Sequence, residues 1–536
     1  MSQSPKKFTR REALAGMSAM PALAGLLGTT TFGGVANAQG ASVVTMIGPT
    51  EAPALLSFVN TSSLIWSAHV TEGLLEFDFD MNPTPLLATE WDVSPDGLTY
   101  TFKLRQGVKW HDGEDFTSAD VKFSIETAKK YHPRNRTTYA QIETIETPDD
   151  HTVILKLGKP TPYLLTAMSS MESPVVPSHR YADGAEPLKH PNNTAPIGTG
   201  PYVFKEWVRG SHVIWDKNPN YWNPDLPIVD RLVARFVLDP SARTIAFETG
   251  GVDLGYRTPV PYRDIQKLKD LPHLEFTKDG YAYDPPNIRI IEANLRDPLL
   301  SQLKVRQAIA HCLNRELINK VVFYGDGVPS ASPIVPYHKD FHLKEPSPYE
   351  YNIEKAEALL EEAGFKRNGG GPRITLTMEY VGDNQRVLGE FLRAAMSRAG
   401  IAIELRGQDM GTLIARVYRE QDYQLHLAGI SNLFDPQVGV QRLYWTKNII
   451  KGVGFSNGTA YSNPEVDAWL EAAAVSTDKA ERIELWAKVQ RQIMHDVPNF
   501  PLAQDAWQTI SNKRITDHTT NAEGFEGSLA RVKVVG

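Results

Sequence analysis

Cysteine is nearly absent from this sequence. Among 536 residues only one, Cys312, carries a thiol. A scaffold held together by internal disulfide bonds is therefore excluded, even in an oxidising compartment. Cys312 falls at an apolar position of a predicted helix, on the same face as Ala308 and Ile309. We interpret it as a small buried apolar residue rather than as a reactive thiol.

The sequence also lacks the residue spacings of common metal sites and nucleophiles. It contains no HExxH, CxxC or EF-hand pattern. Residues 454–458 formally fit GxSxG, but a nucleophile elbow needs a buried strand before the serine and a helix after it. Here a Gly-rich run precedes the serine and a loop-like run follows it, so we interpret the segment as a surface loop. The sequence predicts no catalytic residue, no metal and no cofactor, and the protein is not expected to be an enzyme.

A surplus of positive charge is absent as well. Lys and Arg number 56 against 63 Asp and Glu, which gives a formal net charge of −7. Residues 1–38 hold four basic residues and one acidic residue, so the chain without them is still more acidic. A protein with this balance repels polyanions. We therefore expect no nucleic acid and no anionic membrane surface as a partner.

The apolar run near the N-terminus, Leu14–Leu27, is too short and too weakly apolar for a stable membrane span. It follows the pair Arg10–Arg11 and precedes Ala36–Ala38, an A-x-A cleavage site. This arrangement resembles a twin-arginine export signal. We predict that residues 1–38 are a signal peptide and that the mature protein starts near Gln39 in the periplasm. An uncleaved anchor is the alternative.

The remaining composition is that of an ordinary globular protein. Hydrophobic residues make up 41% and charged residues 22%, and the length fits two or three domains. Trp91–Leu104 alternates around a Pro-Asp-Gly turn, which predicts a hairpin. Thr117, with an acidic residue three positions later, predicts a helix start. The order strand, helix, strand at Ile374–Met378, Gln385–Ala399 and Ile401–Leu405 predicts a parallel pair.

The stretch Leu86–Ile125 carries the most specific pattern in the chain. In order, it contains a tryptophan, an SxDG turn, the run YTFKLRQGVKWHDG and the run FTSADVKFS. This order resembles the signature of the family 5 extracellular solute-binding proteins, the peptide-, nickel- and oligosaccharide-type receptors of ABC importers. Pro196–Phe204, Asn218–Trp222 and Tyr351–Phe365 resemble further motifs of that family. The similarity covers nearly all of residues 41–515.

The resemblance implies an α/β fold. It is the fold of a two-lobed periplasmic binding protein, type II-like and of cluster C, with an extra small α/β domain. Lobe I would combine residues 39–80, 196–288 and 500–536. The extra small domain would comprise residues 81–195, and lobe II residues 289–499.

The resemblance also implies a function. Receptors of this family capture a small solute, here a peptide or peptide-like compound, in the cleft between lobes that close over it. They deliver the solute to the transmembrane subunits of an ABC permease, which cytoplasmic ATPases drive. We expect the protein to act as a monomer. Two alternatives stay open, namely a receptor for an oligosaccharide or opine-like solute and, in another class, an exported hydrolase.

The resemblance implies two charged ligand contacts, one for the carboxylate and one for the α-amine of a peptide. In dipeptide-type members an Arg at the start of a helix clamps the ligand carboxylate, and Arg386 matches that position. In the same members an Asp three residues before an Asp-Pro pair binds the ligand α-amine. The pair is present as Asp435 and Pro436, but the matching position holds Asn432, whose neutral amide cannot neutralise an ammonium group. Asp435 could serve instead.

The other candidates are turn residues and aromatic rings. The loop after the first strand of a two-lobed receptor commonly faces the cleft. Aromatic rings can stack on a sugar or an apolar group, and we favour those near residues 430–445 over Trp66 and Trp507. For every candidate the alternative is a structural role in a turn, a helix start or the core. The candidate ligand contacts are Pro49, Thr50, Glu51, Arg386, Ser431, Asn432, Phe434, Asp435, Tyr444 and Trp445.

Overall fold

The computed structural model describes residues 40–48, 51–61, 64–182, 184–367 and 369–535. The expected signal peptide lies outside these residues, so its cleavage and its twin-arginine character stay predictions.

The secondary structure alternates between strands and helices along the chain. The strands are β1 (Val43–Gly48), β2 (Leu75–Phe77), β3 (Pro83–Pro85), β4 (Ala88–Val93), β5 (Thr99–Leu104), β6 (Ile142–Asp149), β7 (Thr152–Leu157), β8 (Tyr202–Val208), β9 (His212–Lys217), β10 (Arg231–Phe236), β11 (Leu254–Gly255), β12 (Leu274–Thr277), β13 (Ile288–Ala293), β14 (Val328–Pro329), β15 (Ile374–Val381), β16 (Ile401–Gln408), β17 (Leu425–Ile430), β18 (Asn499–Gln504), β19 (Thr509–Asn512), β20 (Ile515–Thr516) and β21 (Lys533–Val534). The α-helices are α1 (Leu64–Ser67), α2 (Ser118–Tyr131), α3 (Asn135–Thr138), α4 (Pro240–Glu248), α5 (Tyr262–Lys269), α6 (Leu303–His311), α7 (Arg315–Val322), α8 (Ile353–Glu362), α9 (Gly382–Ser397), α10 (Met410–Ile414), α11 (Pro436–Gly439), α12 (Pro464–Val475) and α13 (Lys479–Asp496).

Seven strands form the sheet of lobe I, in the order β12-β19-β11-β1-β10-β9-β8. The central strand β1 pairs in parallel with β10 and with β11. Its side chains Val44 and Met46 are fully buried, as expected for a strand inside a sheet that is covered on its faces. The rings of Trp66 and Trp215 stack 6.0 Å apart in the same core. Trp66 is therefore a core residue.

Six strands form the sheet of lobe II, in the order β14-β18-β13-β17-β15-β16. Strands β15 and β16 run parallel, with Ile374 opposite Ile401 and Val381 opposite Gln408. Helix α9 connects them, so the predicted strand, helix, strand unit is confirmed. A parallel pair needs such a crossover, because a tight turn cannot return the chain to the same end of the sheet.

The small unit is built on the four-stranded antiparallel sheet β4-β5-β7-β6. The predicted hairpin is confirmed as β4 and β5, and Ser94 donates to Asp96 in its turn at 2.5 Å. Helix α2 starts after Thr117, whose N–H donates to Asp120 Oδ2 at 2.9 Å. Asp120 also accepts from the N–H of Ser178 at 2.8 Å, so the helix start is tied to a distant loop.

The chain crosses between the two large sheets twice. Residues 278–287 lead from β12 to β13, and residues 505–508 lead from β18 to β19. Two such crossings make the hinge of a two-lobed protein. One boundary expected from the sequence is wrong, because β18 pairs with β13 and β14 in the second sheet. Residues 500–504 therefore belong to lobe II and not to lobe I. The expectation failed because the apolar character of a strand does not determine which sheet it joins. The remaining boundaries stay predictions.

The turn after β5 ties the small unit to lobe I. His111 Nε2 donates to the Gly200 carbonyl at 2.9 Å, and the N–H of Gly198 donates to His111 Nδ1 at 3.3 Å. Burial lowers the pKa of His111 to about 4, so the ring is neutral and can accept at Nδ1. A β-carbon on Gly198 would lie 1.9 Å from the Val70 carbonyl oxygen. The turn that carries His111 therefore has a structural role.

Cys312 and Ser456 also have structural roles. The thiol of Cys312 is fully buried and donates to the Ala308 carbonyl at 3.3 Å. Ser456 is buried in a loop, and its hydroxyl oxygen lies 2.8 Å from the Val453 carbonyl oxygen. The segment that formally fits GxSxG is thus a loop whose serine hydroxyl is engaged with the backbone.

We expect Gly198→Ala to lower the free energy of unfolding by about 3 kcal/mol, the upper part of the range for overpacked sites. The added β-carbon would overlap the backbone of Val70, which cannot rotate away as a flexible side chain can. Urea denaturation followed by tryptophan fluorescence measures the change.

Gly371→Ala is the matched control, because no atom lies within 4 Å of its β-carbon position. Its effect should stay within about 0.5 kcal/mol. An unchanged denaturation midpoint for Gly198→Ala would contradict the close approach to Val70.

We expect Cys312 to resist Ellman's reagent in the native protein. Burial raises the pKa of its thiol to about 12, so the reactive thiolate is scarce and inaccessible. One equivalent of thiol should react in urea and almost none in buffer. Rapid stoichiometric reaction of the native protein would show that Cys312 is accessible.

Candidate functional site

The loop after β1 holds the first three candidate contacts. Pro49 and Thr50 lie outside the described residues. Glu51 accepts from Trp207 Nε1 at 2.7 Å and from the N–H of Gly210 at 3.0 Å. Its carboxylate anchors the hairpin of β8 and β9, so it is already engaged within lobe I.

Asn432 follows β17 and is fully buried. Its side-chain oxygen accepts from the N–H of Val335 at 2.9 Å, and its side-chain nitrogen donates to the Pro333 carbonyl at 3.1 Å. Both halves of the amide thus hold the segment 333–335. Asn432 therefore stabilises the packing of this segment against the loop after β17, and both polar atoms of its side chain are engaged.

Asp435 is also buried and engaged. It caps α11 by accepting from the N–H of Gln437 at 2.8 Å. Both of its oxygens accept from Arg482 Nη2, at 3.0 and 3.1 Å, and both side chains of this pair are less than one-tenth exposed. Its charge is therefore neutralised within lobe II.

The remaining candidates near residues 430–445 are spread over different surroundings. Phe434 is buried against Tyr283, with ring centroids 5.2 Å apart. Tyr444 is fully buried, and its hydroxyl donates to Asn499 at 3.0 Å. Trp445 is half-buried, and its indole N–H donates to Glu471 at 2.9 Å. Ser431 is half-buried at the end of β17. The three aromatic residues thus contact three different partners.

A cavity of about 410 Å³ lies between the lobes beside the hinge, and we call it the hinge cavity. Lobe I contributes Arg257 and Tyr262, lobe II contributes Gln385 and Leu388, and the second crossing contributes Trp507. The first turns of α9 thus face the cavity. Arg386 is exposed on the same helix, one residue beyond Gln385.

A second and larger cavity of about 840 Å³ opens between the small unit and lobe II. Phe434, Asp435 and Arg482 are part of its wall. Lys339 of lobe II reaches across it to Asp80, with a nitrogen–oxygen distance of 3.0 Å. Both residues of this ion pair are largely exposed, so it adds little stability.

Ion pairs concentrate where the hinge cavity meets the crossings. Arg257 lies 2.5 Å from Asp284 and 2.5 Å from Glu526, and its guanidinium sits 4.4 Å from the centroid of the Trp507 ring. Arg257 has a φ of +52°, a strained value for a residue with a side chain. Burial raises the pKa of Glu526 to about 7, although the charge of Arg257 favours its ionised form.

The small unit adds a buried ion pair between Arg134 and Glu172. Arg134 Nε donates to Glu172 at 2.9 Å, and its Nη2 donates to the second carboxylate oxygen. Burial raises the pKa of Glu172, and the charge of Arg134 lowers it. Neither Arg134 nor Arg257 lies in a recognisable motif, so no sequence pattern points to these two residues. For Trp507 the only signal in the sequence is its aromatic ring.

Other site types find no support in the described part of the chain. Within it, no group of three or more His, Cys, Asp or Glu side chains is arranged to hold a metal ion. The same residues include no helix whose length and apolar character suffice to cross a membrane.

Residues 82–452 match the model of the bacterial extracellular solute-binding proteins, family 5. The glutathione-binding protein GsiB of Pectobacterium atrosepticum is 30% identical over 457 residues, which cover 83% of this chain and 85% of that protein. A putative ABC transporter peptide-binding protein of Brucella ovis is 31% identical over 441 residues, with 79% of each chain covered.

Solved structures show the same fold. The oligopeptide-binding protein AppA of Bacillus subtilis, in complex with a nonapeptide, matches with a TM-score of 0.78 at 23% identity, over 92% of this chain and 99% of that one. DppA of Helicobacter pylori, in complex with the peptide STSA, matches with a TM-score of 0.78 at 24% identity, over 92% and 98%. The expected two-lobed α/β fold is confirmed. With most of its length matched by the family model, the chain belongs to the bacterial extracellular solute-binding proteins of family 5.

Proposed function

We propose that this protein is the substrate-binding receptor of an ABC importer and that it captures a peptide-like solute between its lobes. Family membership and relatives named for peptide and glutathione binding support the receptor role. The receptor would reach the periplasm through a twin-arginine signal, act as a monomer and hand its solute to the permease. It would bind the solute without converting it.

The hinge cavity is the observation that carries the proposal. Its volume of about 410 Å³ falls within the range of about 300–1,000 Å³ that small-ligand pockets occupy. Its wall combines the Trp507 ring, the Gln385 amide and the Arg257 guanidinium, which suit the apolar, amide and carboxylate parts of a peptide. Both lobes contribute, so a solute bound there would favour the closed arrangement.

The loop around residues 431–435 supports a restriction on the solute. Asn432 and Asp435 are both engaged with other parts of lobe II. An ammonium group of a ligand would therefore find no uncompensated carboxylate on these two residues. This favours solutes recognised through their carboxylate and amide groups, among them peptides whose N-terminal amine is modified.

We expect the purified mature chain to bind a peptide-like solute saturably, with one molecule per chain. Glutathione and short peptides are the first probes, measured by calorimetry and by the shift in unfolding temperature. Mass spectrometry after denaturing release should identify any solute that co-purifies.

The same samples, analysed for products after prolonged incubation, provide the control. Conversion of a probe without a stoichiometric complex would favour the exported hydrolase. The absence of both a co-purified solute and saturable binding would contradict the receptor proposal.

We expect Asp435→Asn to lower the free energy of unfolding by about 3 kcal/mol and to leave the affinity of the folded protein for its solute unchanged. The substitution keeps the shape of the side chain but leaves the buried charge of Arg482 uncompensated, and such changes cost about 3–5 kcal/mol. Chemical denaturation and calorimetry measure the two effects.

Asp422→Asn is the control, because the side chain of Asp422 is 80% exposed and pairs with Arg416 at 3.2 Å. Its effect on stability should stay below about 1 kcal/mol. If Asp435→Asn instead abolished solute binding at unchanged stability, Asp435 would be a ligand contact after all.

A further inference from the structure

Aromatic rings from three parts of the chain meet in the wall of the hinge cavity. Tyr262 of lobe I and Phe323 of lobe II pack at a steep angle, with ring centroids 5.8 Å apart. Trp507 of the second crossing and Tyr324 of lobe II belong to the same wall. Because both lobes supply rings, this apolar surface is assembled when the lobes approach each other.

Tyr324 is the most exposed of these rings. It lies directly after α7 and is 52% exposed, whereas its neighbour Phe323 is buried in the core of lobe II. Val387 on α9 is a second exposed apolar residue of the same wall. Exposed apolar groups beside a cavity lose contact with water when a ligand covers them, which favours the binding of an apolar group.

The backbone of the cavity wall is strained at three positions. Arg257, Thr258 and Tyr324 have φ values of +52°, +53° and +54°, a region that residues with a β-carbon rarely adopt. Glycine would adopt this conformation without strain. Since the ring of Tyr324 is half in solvent, burial in the core does not offset its strain. Strain of this kind concentrates at positions that a function requires.

Two charged groups of the wall are matched to each other. Arg289 and Asp505 both line the cavity and form two hydrogen bonds, at 2.8 and 2.7 Å. Asp505 is buried, so separation of the pair would leave its charge uncompensated. An ionised side chain of a solute would compete with this pair, whereas an apolar side chain would leave it intact.

We propose that the hinge cavity binds a large apolar side chain of the solute and that Tyr324 is the residue that determines this specificity. The rings of Tyr262, Phe323 and Trp507 would contact the side chain from both sides of the cleft, and Tyr324 would pack against it at the mouth. The solute thereby covers the ring that the protein leaves exposed. The inference rests on the proposed receptor function and adds to it the class of side chain that the solute carries.

Calorimetric titration of the mature chain with three probes tests the proposal. The probes are N-acetyl-Ala-Phe-Ala, N-acetyl-Ala-Ala-Ala and N-acetyl-Ala-Glu-Ala, which differ only in the central side chain. The wild type should bind the phenylalanine probe at least about 10-fold more tightly than the other two, as expected for a side chain that fills an apolar pocket. Tyr324→Gly should remove most of this difference, by weakening the binding of the phenylalanine probe and leaving the alanine probe unaffected.

Two further variants and a stability measurement separate binding from a structural role. Val321→Ala is the matched control, because Val321 is 48% exposed on α7 but lies outside the cavity wall, and it should bind all probes as the wild type does. Tyr324→Phe keeps the ring and should keep the preference for phenylalanine. Without solute, Tyr324→Gly should unfold at the same temperature as the wild type or at a higher one, because glycine relieves the strained backbone.

Three outcomes would overturn the inference. The first is a wild type that binds the alanine or glutamate probe as tightly as the phenylalanine probe, or that binds none of them. The second is an unchanged preference for phenylalanine in Tyr324→Gly. The third is a lower unfolding temperature of Tyr324→Gly together with an equal loss of affinity for all probes, which would make Tyr324 structural. The receptor function is decided separately, because a co-purified solute without a large apolar group would keep that function and remove only the apolar specificity.

Discussion

A buried carboxylate, Glu72, joins segments of lobe I that lie far apart in the sequence. It accepts from Thr199 at 2.8 Å, from Tyr221 at 2.7 Å and from Trp222 at 3.0 Å. Burial raises its pKa to about 7, and these donors oppose that shift by stabilising the ionised form. A buried polar group without such partners would cost several kcal/mol, so the three donors must stay in place. His111 of the small unit binds the glycine loop next to Thr199, so the same part of lobe I also holds the small unit.

The crossings themselves carry charges that are matched in pairs. Arg289 binds Asp505 through two hydrogen bonds, at 2.8 and 2.7 Å, next to the second crossing. Arg257 similarly forms ion pairs with both Asp284 and Glu526. Pairing offsets the desolvation of each group, which is why these ions can lie inside a narrow space.

Local patterns in the sequence predicted local structure well. The hairpin at β4 and β5 and the parallel pair around α9 follow from periodicity and turn chemistry, which act over a few neighbouring residues. The contacts of the candidate site residues could not be predicted from the sequence, because their partners lie far along the chain. Asp435 meets Arg482, and Asn432 meets a segment about a hundred residues earlier. The sequence pattern of β18 likewise does not show which of the two large sheets the strand joins, because an apolar strand can pair in either sheet.

Asn432 shows how a local requirement can change what a receptor recognises. The segment 333–335 presents one N–H and one carbonyl to this position, so it needs a side chain that both accepts and donates. An amide satisfies both groups, whereas an ionised Asp would accept from Val335 but repel the Pro333 carbonyl. Once an amide occupies the position and Arg482 neutralises Asp435, the loop carries no net negative charge toward the cleft.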